Sequence, residues 1–354
     1  MRLKIAFIGM GNVARAFARL LIAHSSGLAE RYRLEWVTVA IATGRHGSAV
    51  SGLGIDLPDA LKLLEQDRGL AGLAGAHVPG SSVASEPMGA IEQAGPDVIF
   101  ETIPLNPVDG QPAIDYIRRA LSLGIHVVTA NKGPIAFAYD ELSMLAKLNG
   151  ARFRFEGTVM DGTPVFNLER YCLPAARVID FAGVLNSTTN LILTGLQSGI
   201  SFEKSLREAQ RLGIAEANAD YDIDGWDAAM KATALANVWM DASLDPRQVE
   251  RRGIREIREA NLIEAKATGQ TVRLIARGRR VGESVKVSVG PEQVPIDSPL
   301  GCVRGTSNAL IIRTDLMGEI AIVETDPGVE QTAYALMSDF VRIHQDIVET
   351  RGEC

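Results

Sequence analysis

Cysteine is scarce in this chain. Three residues in 354 (Cys172, Cys302, Cys354) are too few and too scattered for a disulfide framework or a zinc cluster. Cys354, the last residue, reads as an exposed free thiol, with an intersubunit disulfide as the alternative. No run approaches the ~20 apolar residues that a membrane span requires. The opening MRLKIAFIGMG ends in glycines rather than a cleavage site, so it reads as a first strand and not a signal peptide. Positive charge is not in excess either. A net charge of −7 argues against nucleic acid or an anionic membrane as a main partner. Internal repeats and low-complexity tracts are also missing. What remains is 46% apolar and 22% charged, an ordinary globular composition on a chain long enough for about two domains. A soluble, cytoplasmic protein is expected.

The first 150 residues alternate short apolar runs with helical spacing, as βαβ units do. Strands are predicted over 4–8, 36–42, 97–102 and 126–129. Helices are predicted over 12–22, with Val13, Phe17, Leu20 and Leu21 on one side, and over 112–123. Residues 46–95 are rich in Gly, Ala and Ser and read as surface loops with one helix near 59–66. Beyond 150 the pattern changes to strands over 152–159, 177–185, 272–277, 285–289, 310–314 and 319–324. Helices over 202–212 and 226–240 interrupt them, and basic residues crowd 247–258. The expected fold is α/β, with an N-terminal Rossmann-type parallel sheet and a second α+β domain that carries catalysis and dimerisation. The dinucleotide-binding domain is placed at 1–150, joined by the last helix (331–349, within about 325–354), and the second domain at 151–324.

Gly9-Met10-Gly11-Asn12-Val13-Ala14 follows a strand and opens a helix. The first glycine permits a tight turn, the second lets a pyrophosphate approach the backbone, and the alanine keeps helix close to strand. Exposed amides and the helix dipole then attract phosphate. The second strand runs into Thr43-Gly44-Arg45-His46, with no acidic residue for a ribose 2′-hydroxyl. Arg45 could pair with a 2′-phosphate instead, so NADP is expected, with NAD as the alternative. Two later strand ends, Glu101-Thr102-Ile103-Pro104 and Thr129-Ala130-Asn131-Lys132-Gly133-Pro134, lie where ligands bind in such sheets. Lys132 is expected to face the cleft where a nicotinamide would lie.

The segment from Glu216 to Lys231, EANADYDIDGWDAAMK, is the densest in chemistry. A helix starting near Gly225 puts Asp227 and Lys231 on one face, four residues apart. A lysine held beside carboxylates can exchange a proton with a substrate oxygen, whereas a solvated pair of this spacing does no more than steady the helix slightly. Asp220-x-Asp222-x-Asp224-Gly225 imitates half of a calcium loop, but Lys231 stands where the bidentate Glu is needed, which excludes calcium.

Together these motifs resemble the homoserine dehydrogenase family over nearly the whole chain. GMGNVAR is similar to its nucleotide loop, HVVTANKGP to its strand end, and FEGTV (155–159) to the start of its catalytic domain. GVLNSTTN (183–190), LGIAEANADYDIDGWDAAMK and PLGCVRGTSNAL follow in the family's order. The resemblance implies that Lys231 is proton donor and acceptor at the substrate oxygen, with Asp227 and Lys132 positioning and polarising the group. It implies that Glu216 and Asp222 bind the substrate ammonium and that Ser187 and Thr188 lie along the substrate, L-homoserine or L-aspartate 4-semialdehyde. Gly9, Gly11, Asn12, Val13, Thr43, Arg45, Thr102, Asn131, Lys132, Gly213 and Gly328 would hold the dinucleotide. A monovalent cation such as sodium would sit near Glu156, Val159, Asp161 and Thr163, and the chain would pair into a homodimer through its second sheet.

This chain departs from the family at Met160-Asp161-Gly162, where a glycine-rich run is usual, and at Asp326-Pro327-Gly328-Val329 before the last helix. It also ends soon after that helix, without room for a regulatory tail or fused kinase, so no strong threonine feedback is expected. Two rival readings stand beside the main one. The first is an NAD(P)-dependent oxidoreductase of the same scaffold acting on a related amino acid or semialdehyde. The second is a nucleotide-binding regulator without catalysis.

Overall fold

The computed structural model describes residues 2–73 and 87–351, so Cys354 lies outside the described residues. The chain divides into two compact units. One comprises Met1–Pro134, Asp140–Pro164 and Gly328–Cys354, the other Ile135–Tyr139 and Val165–Pro327.

The first unit is built on six strands: β1 (Arg2–Ile8), β2 (Glu35–Thr43), β3 (Gly47–Val50), β4 (Val98–Glu101), β5 (His126–Thr129) and β6 (Phe153–Arg154). Their order is β3-β2-β1-β4-β5-β6, parallel except for β3, which turns back antiparallel on β2. The near-continuous apolar runs of β1 and β4 are what a parallel sheet covered on both faces demands. Ile8 pairs with both Ala42 and Glu101, and Glu101 with Thr129, so the carboxyl ends of four neighbouring strands come level. Helix Asn12–Ala23 buries Ala14, Phe17, Ala18 and Leu21, a stripe of helical period. Phe17 packs tilted against Phe100 at 4.5 Å between centroids, Phe7 lies 5.4 Å from Phe100, and Phe340 meets Phe100 edge-on at 5.4 Å. Phe340 belongs to the last helix, Val329–Arg351, which joins this core with Ala333, Leu336 and Ile343.

Several segments differ from expectation, and two of them adjoin β5. Residues 152–159 do not form a strand of the second sheet. Only Phe153–Arg154 is extended, and it pairs parallel with β5. Beyond it Glu156–Thr158 makes a 3₁₀ turn, because the Glu156 amide donates to the buried Asp339 carboxylate (2.9 Å) and Thr158 bonds back to the Phe155 carbonyl through both its amide and its hydroxyl. Helix Lys132–Leu148, hidden by its Gly-Pro start, was not expected. Asn131 caps it, and it breaks at Ala138.

The second unit carries β7 (Val178–Val184), β8 (Glu250–Arg251), β9 (Gln270–Val281), β10 (Ser284–Pro295), β11 (Asn308–Thr314) and β12 (Glu319–Glu324). The order is β12-β11-β7-β9-β10-β8, antiparallel apart from the short β8–β10 pairing, which makes this half α+β. Helix Trp226–Met240 is buried along most of its length, and its Trp239 lies 6.0 Å from the rings of both Phe166 and Phe181. Among the described residues, no helix is long and apolar enough to cross a membrane.

Candidate active site

In the first unit the functional residues gather at the level strand ends. Gly9 follows β1 at φ +90°, and a Cβ there would come within 2.9 Å of the Thr102 and Ile103 backbone, so a side chain cannot enter without moving the end of β4. The Gly9 amide donates to Ala42 O and the Thr102 amide to Ile8 O, both at 2.9 Å, lacing three strand ends together. Thr102 Oγ1 donates to Gly9 O at 3.2 Å. Gly11 begins helix Asn12–Ala23 with open space where its Cβ would be and no side-chain cap, leaving first-turn amides to an anion. Asn12 is exposed and Val13 half-buried beside it.

At the end of β2, Thr43 Oγ1 donates to Gly47 O (2.9 Å) and receives the His46 amide (2.8 Å). Arg45 is exposed, yet it is paired: its NH2 lies 2.5 Å from Asp67 Oδ2. At the ends of β4 and β5, Glu101 is wholly buried. It accepts from Thr129 Oγ1 at 2.6 Å and from the Ile103 amide at 2.9 Å. Burial pushes its carboxyl up to about 7, against the pull of those hydrogen bonds. Thr129 Oγ1 in turn receives the Asn131 amide, and Asn131 Oδ1 caps the next helix through the Gly133 amide. Lys132, half-buried, is the first residue of that helix.

The Met160-Asp161-Gly162 turn holds two successive non-glycine residues in the left-handed region, at φ 56° and 45°. Gly162 is required, since a Cβ would fall 2.3 Å from Gln331 O. Asp161 Oδ1 accepts from Thr332 Oγ1 (2.8 Å), and the Thr163 amide donates to Met160 O (2.8 Å). Glu156 and Val159 are buried. Among the described residues, no three His, Cys, Asp or Glu side chains converge as metal ligands. Gly328 directly precedes the last helix, and its carbonyl receives the Thr332 amide at 3.2 Å.

In the second unit one cluster forms where β7 ends. Lys231 Nζ donates to Leu185 O at 2.7 Å and lies 3.2 Å from Asp227 Oδ2, with the lysine side chain 18% and the aspartate 8% exposed. Asn186 Nδ2 donates to Asp227 Oδ2 (3.0 Å) and to Asp222 Oδ1 (2.8 Å), joining the two carboxylates. Asn186 Oδ1 meanwhile caps helix Ser187–Gln197 through the Thr189 amide. Thr188 Oγ1 donates to Asp222 Oδ2 at 2.8 Å. Burial, then the neighbouring Asp227, raises Asp222 above the usual carboxylate range. Gly225, at φ +80°, begins the helix that carries Asp227 and Lys231, so the predicted one-face pairing is realised. This arrangement provides a fixed cation between a carbonyl and a carboxylate, beside a second carboxyl whose affinity for a proton is raised by burial and by Asp227.

Other expected residues stand apart from this cluster. Glu216 is exposed and its carboxylate takes no part in these bonds. Ser187 Oγ receives Asn308 Nδ2 at 3.4 Å, and Gly213 ends helix Phe202–Arg211 at φ +72°. Three residues had no role of their own assigned from the sequence. Asn186 was readable as an N-cap, an Asn directly before Ser-Thr-Thr at a strand end. Glu101 was visible as an acid closing an apolar strand. Asp67 gave no signal, since 22 residues separate it from Arg45. Tyr221 is a further surprise: its hydroxyl is buried without a hydrogen-bond partner among the described residues, and burial, with Asp227 and Asp222 nearby, pushes the phenol up.

The model of the family described as homoserine dehydrogenase matches residues 164–341. The chain is 35% identical over 343 residues to the NAD(+)-dependent homoserine dehydrogenase of Pseudomonas canavaninivorans, covering 97% of this chain and 96% of that one. It is 35% identical over 341 residues to the homoserine dehydrogenase of Methanocaldococcus jannaschii, covering 96% and 98%. Among solved structures, a hyperthermophilic archaeal homoserine dehydrogenase in complex with NADPH matches with a TM-score of 0.81 at 32% identity, over 98% of both chains. The chain belongs to the homoserine dehydrogenase family, oxidoreductases that act on a CH–OH group.

Proposed function

We propose that the chain interconverts L-aspartate 4-semialdehyde and L-homoserine with a nicotinamide dinucleotide, Lys231 carrying the proton. The observation that supports this most directly is the Lys231–Asp227–Asn186–Asp222 cluster, in a chain of this family. When bound, the dinucleotide supplies or accepts a hydride at the carbon bearing the oxygen. In the reducing direction, negative charge develops on the aldehyde oxygen as that carbon is reduced, and an ammonium aimed at it lowers the barrier. The proton then leaves Lys231 Nζ for the oxygen, giving the alcohol. Leu185 O and Asp227 both engage the ammonium, which orients the group before substrate arrives. Oxidation of homoserine runs in reverse and requires neutral Lys231, so its rate rises with pH.

The remaining roles follow the resemblance. Asp222, with Glu216, would bind the substrate ammonium, Ser187 and Thr188 would line the substrate, and Lys132 would polarise the reacting group. Gly9, Gly11, Asn12, Val13, Thr43, Thr102, Asn131, Gly213 and Gly328 would contact the dinucleotide, with Arg45 the residue suited to a 2′-phosphate. A monovalent cation at Glu156, Val159, Asp161 and Thr163 fits the turn through backbone carbonyls more than carboxylates, since Asp161 is engaged by Thr332. Pairing of two chains through the second sheet is supported by exposed apolar residues at its β12 side, Val323 on the edge strand and Leu316 and Met317 in the turn before it. The test of the reaction is NAD(P) reduction with L-homoserine at alkaline pH. Turnover by the wild type and its loss in Lys231→Ala are expected; no turnover by the wild type with either dinucleotide would overturn the proposal.

A further inference from the structure

The sequence offers no acid at the end of β2, yet the folded chain delivers one. Helix Leu57–Glu65 ends at Gln66, and Asp67 follows in the left-handed region at φ 56°. The Asp67 amide donates to Leu64 O (3.2 Å) and the Arg68 amide to Leu63 O (2.9 Å), so the turn is set by the backbone and not by the carboxylate. The Leu70 amide then donates to His46 O at 2.9 Å, stitching this turn to the one that follows β2. As a result Asp67 Oδ2 lies 2.5 Å from Arg45 NH2 and Oδ1 lies 2.9 Å from His46 Nε2. The His46 bond, with the charges of Arg45, His46 and Arg15, holds the Asp67 carboxyl below the usual range, so it is an anion at any working pH. Arg15 stands in the helix that opens at Gly11, so this corner borders the glycine loop. Strand pairing agrees, since Ala42 of β2 is level with Ile8 of β1. In a parallel nucleotide-binding sheet this corner receives the adenosine ribose.

We infer that Asp67 is the cofactor-selecting residue, its carboxylate accepting from the ribose 2′-hydroxyl of NAD and opposing the 2′-phosphate of NADP by occupying Arg45. This rests on the dinucleotide function proposed above. With NAD, the carboxylate gains a donor while Arg45 stays on its flank. With NADP, a dianion arrives beside a fixed anion, and Arg45 must leave Asp67 to meet it. The Arg45 and Asp67 side chains are 75% and 58% exposed, so water and salt weaken their bond and NADP is admitted at a cost rather than excluded. Arg45 alone would therefore mislead: what decides is whether its charge is already answered.

The test measures kcat/KM for NAD and NADP with L-homoserine in the wild type, Asp67→Asn, Asp67→Ser and Arg45→Ala. Dissociation constants for NADH and NADPH are measured in parallel by nicotinamide fluorescence. Both Asp67 variants should shift the NADP-to-NAD selectivity toward NADP by about tenfold or more, mainly through KM, and Arg45→Ala should shift it toward NAD. An Asp67→Asn selectivity within about twofold of wild type, in kcat/KM and in the dissociation constants alike, would overturn the inference. Absence of turnover with a retained shift in dissociation constants would instead overturn the proposed reaction and leave Asp67 as the selector.

Discussion

Acids stand at strand ends in both units, Glu101 on its strand and Asp222 and Asp227 on helices beside the end of β7, and they do different work. At β4 and β5, Glu101 is sealed from solvent and meets a hydroxyl and an amide, and among the described residues none of these hydrogen-bond partners is a cation. At β7, Asp227 and Asp222 share the amide of Asn186, and Lys231 stands against Asp227 with part of its side chain open to solvent. A sealed carboxyl with only neutral partners fixes backbone: here it ties the Ile103 loop to Thr129 and so to the Asn131 cap. A carboxylate paired with a partly open lysine can hold and release a proton. Burial of an acid is thus not itself a sign of catalysis; the accessible cation beside it is.

The largest effect that would break this contrast is at Lys231. Lys231→Ala should cut turnover by about 10²–10⁴-fold, the usual contribution of a positioned acid–base group, while dinucleotide affinity stays near wild type. Next, Asp227→Asn should lower kcat by about 10–100-fold, because a hydrogen bond to a charged group is worth ~1.5–3 kcal/mol and the ammonium loses its counter-charge. A kcat unchanged in that variant would mean Leu185 O alone orients the lysine. Asp222→Asn sharpens the contrast within the cluster. Its expected effect is a KM for homoserine raised about tenfold, with a smaller change in kcat; the reverse pattern would move Asp222 from binding to chemistry.

The Glu101 half of the contrast is tested through stability. Its carboxyl is raised from 4.5 to about 7 in the fold, so the folded state binds its proton more tightly than the unfolded chain. Its contribution is therefore fully present below pH ~4.5 and is lost as pH rises through about 7, on the order of 3 kcal/mol in all. Glu101→Gln should flatten that part of the stability profile, so urea midpoints of wild type and variant diverge between about pH 5 and 8 and run parallel above it. Parallel curves throughout would show that Glu101 stays ionised in the fold. The effect on turnover should be the smallest of the four.

Much of this was legible in residues taken in order. The βαβ pattern, the glycine loop and the Asp227–Lys231 helix face depend on local spacing, and local spacing survives folding. Features that depend on distant partners were not legible. Residues 152–159 look like a strand until the Glu156 amide finds Asp339, 183 positions away. Helix Ser187–Gln197 was hidden by β-branched residues, whose strand preference yields to the Asn186 cap. The end of β2 shows an arginine without an acid, because the acid arrives from the turn after another helix. Distant hydrogen bonds decided the first and last of these, and in helix Ser187–Gln197 a local cap outweighed strand preference.

The most direct measurement is the pH dependence of homoserine oxidation by wild type and Lys231→Ala, with dinucleotide binding followed in the same samples. If Lys231 carries the proton, wild-type kcat rises with pH as the lysine becomes neutral, and Lys231→Ala binds dinucleotide normally but loses turnover by at least about 10²-fold at every pH. Turnover within about tenfold of wild type with the same pH profile would contradict it, and the proton would then have to pass through another group of the cluster.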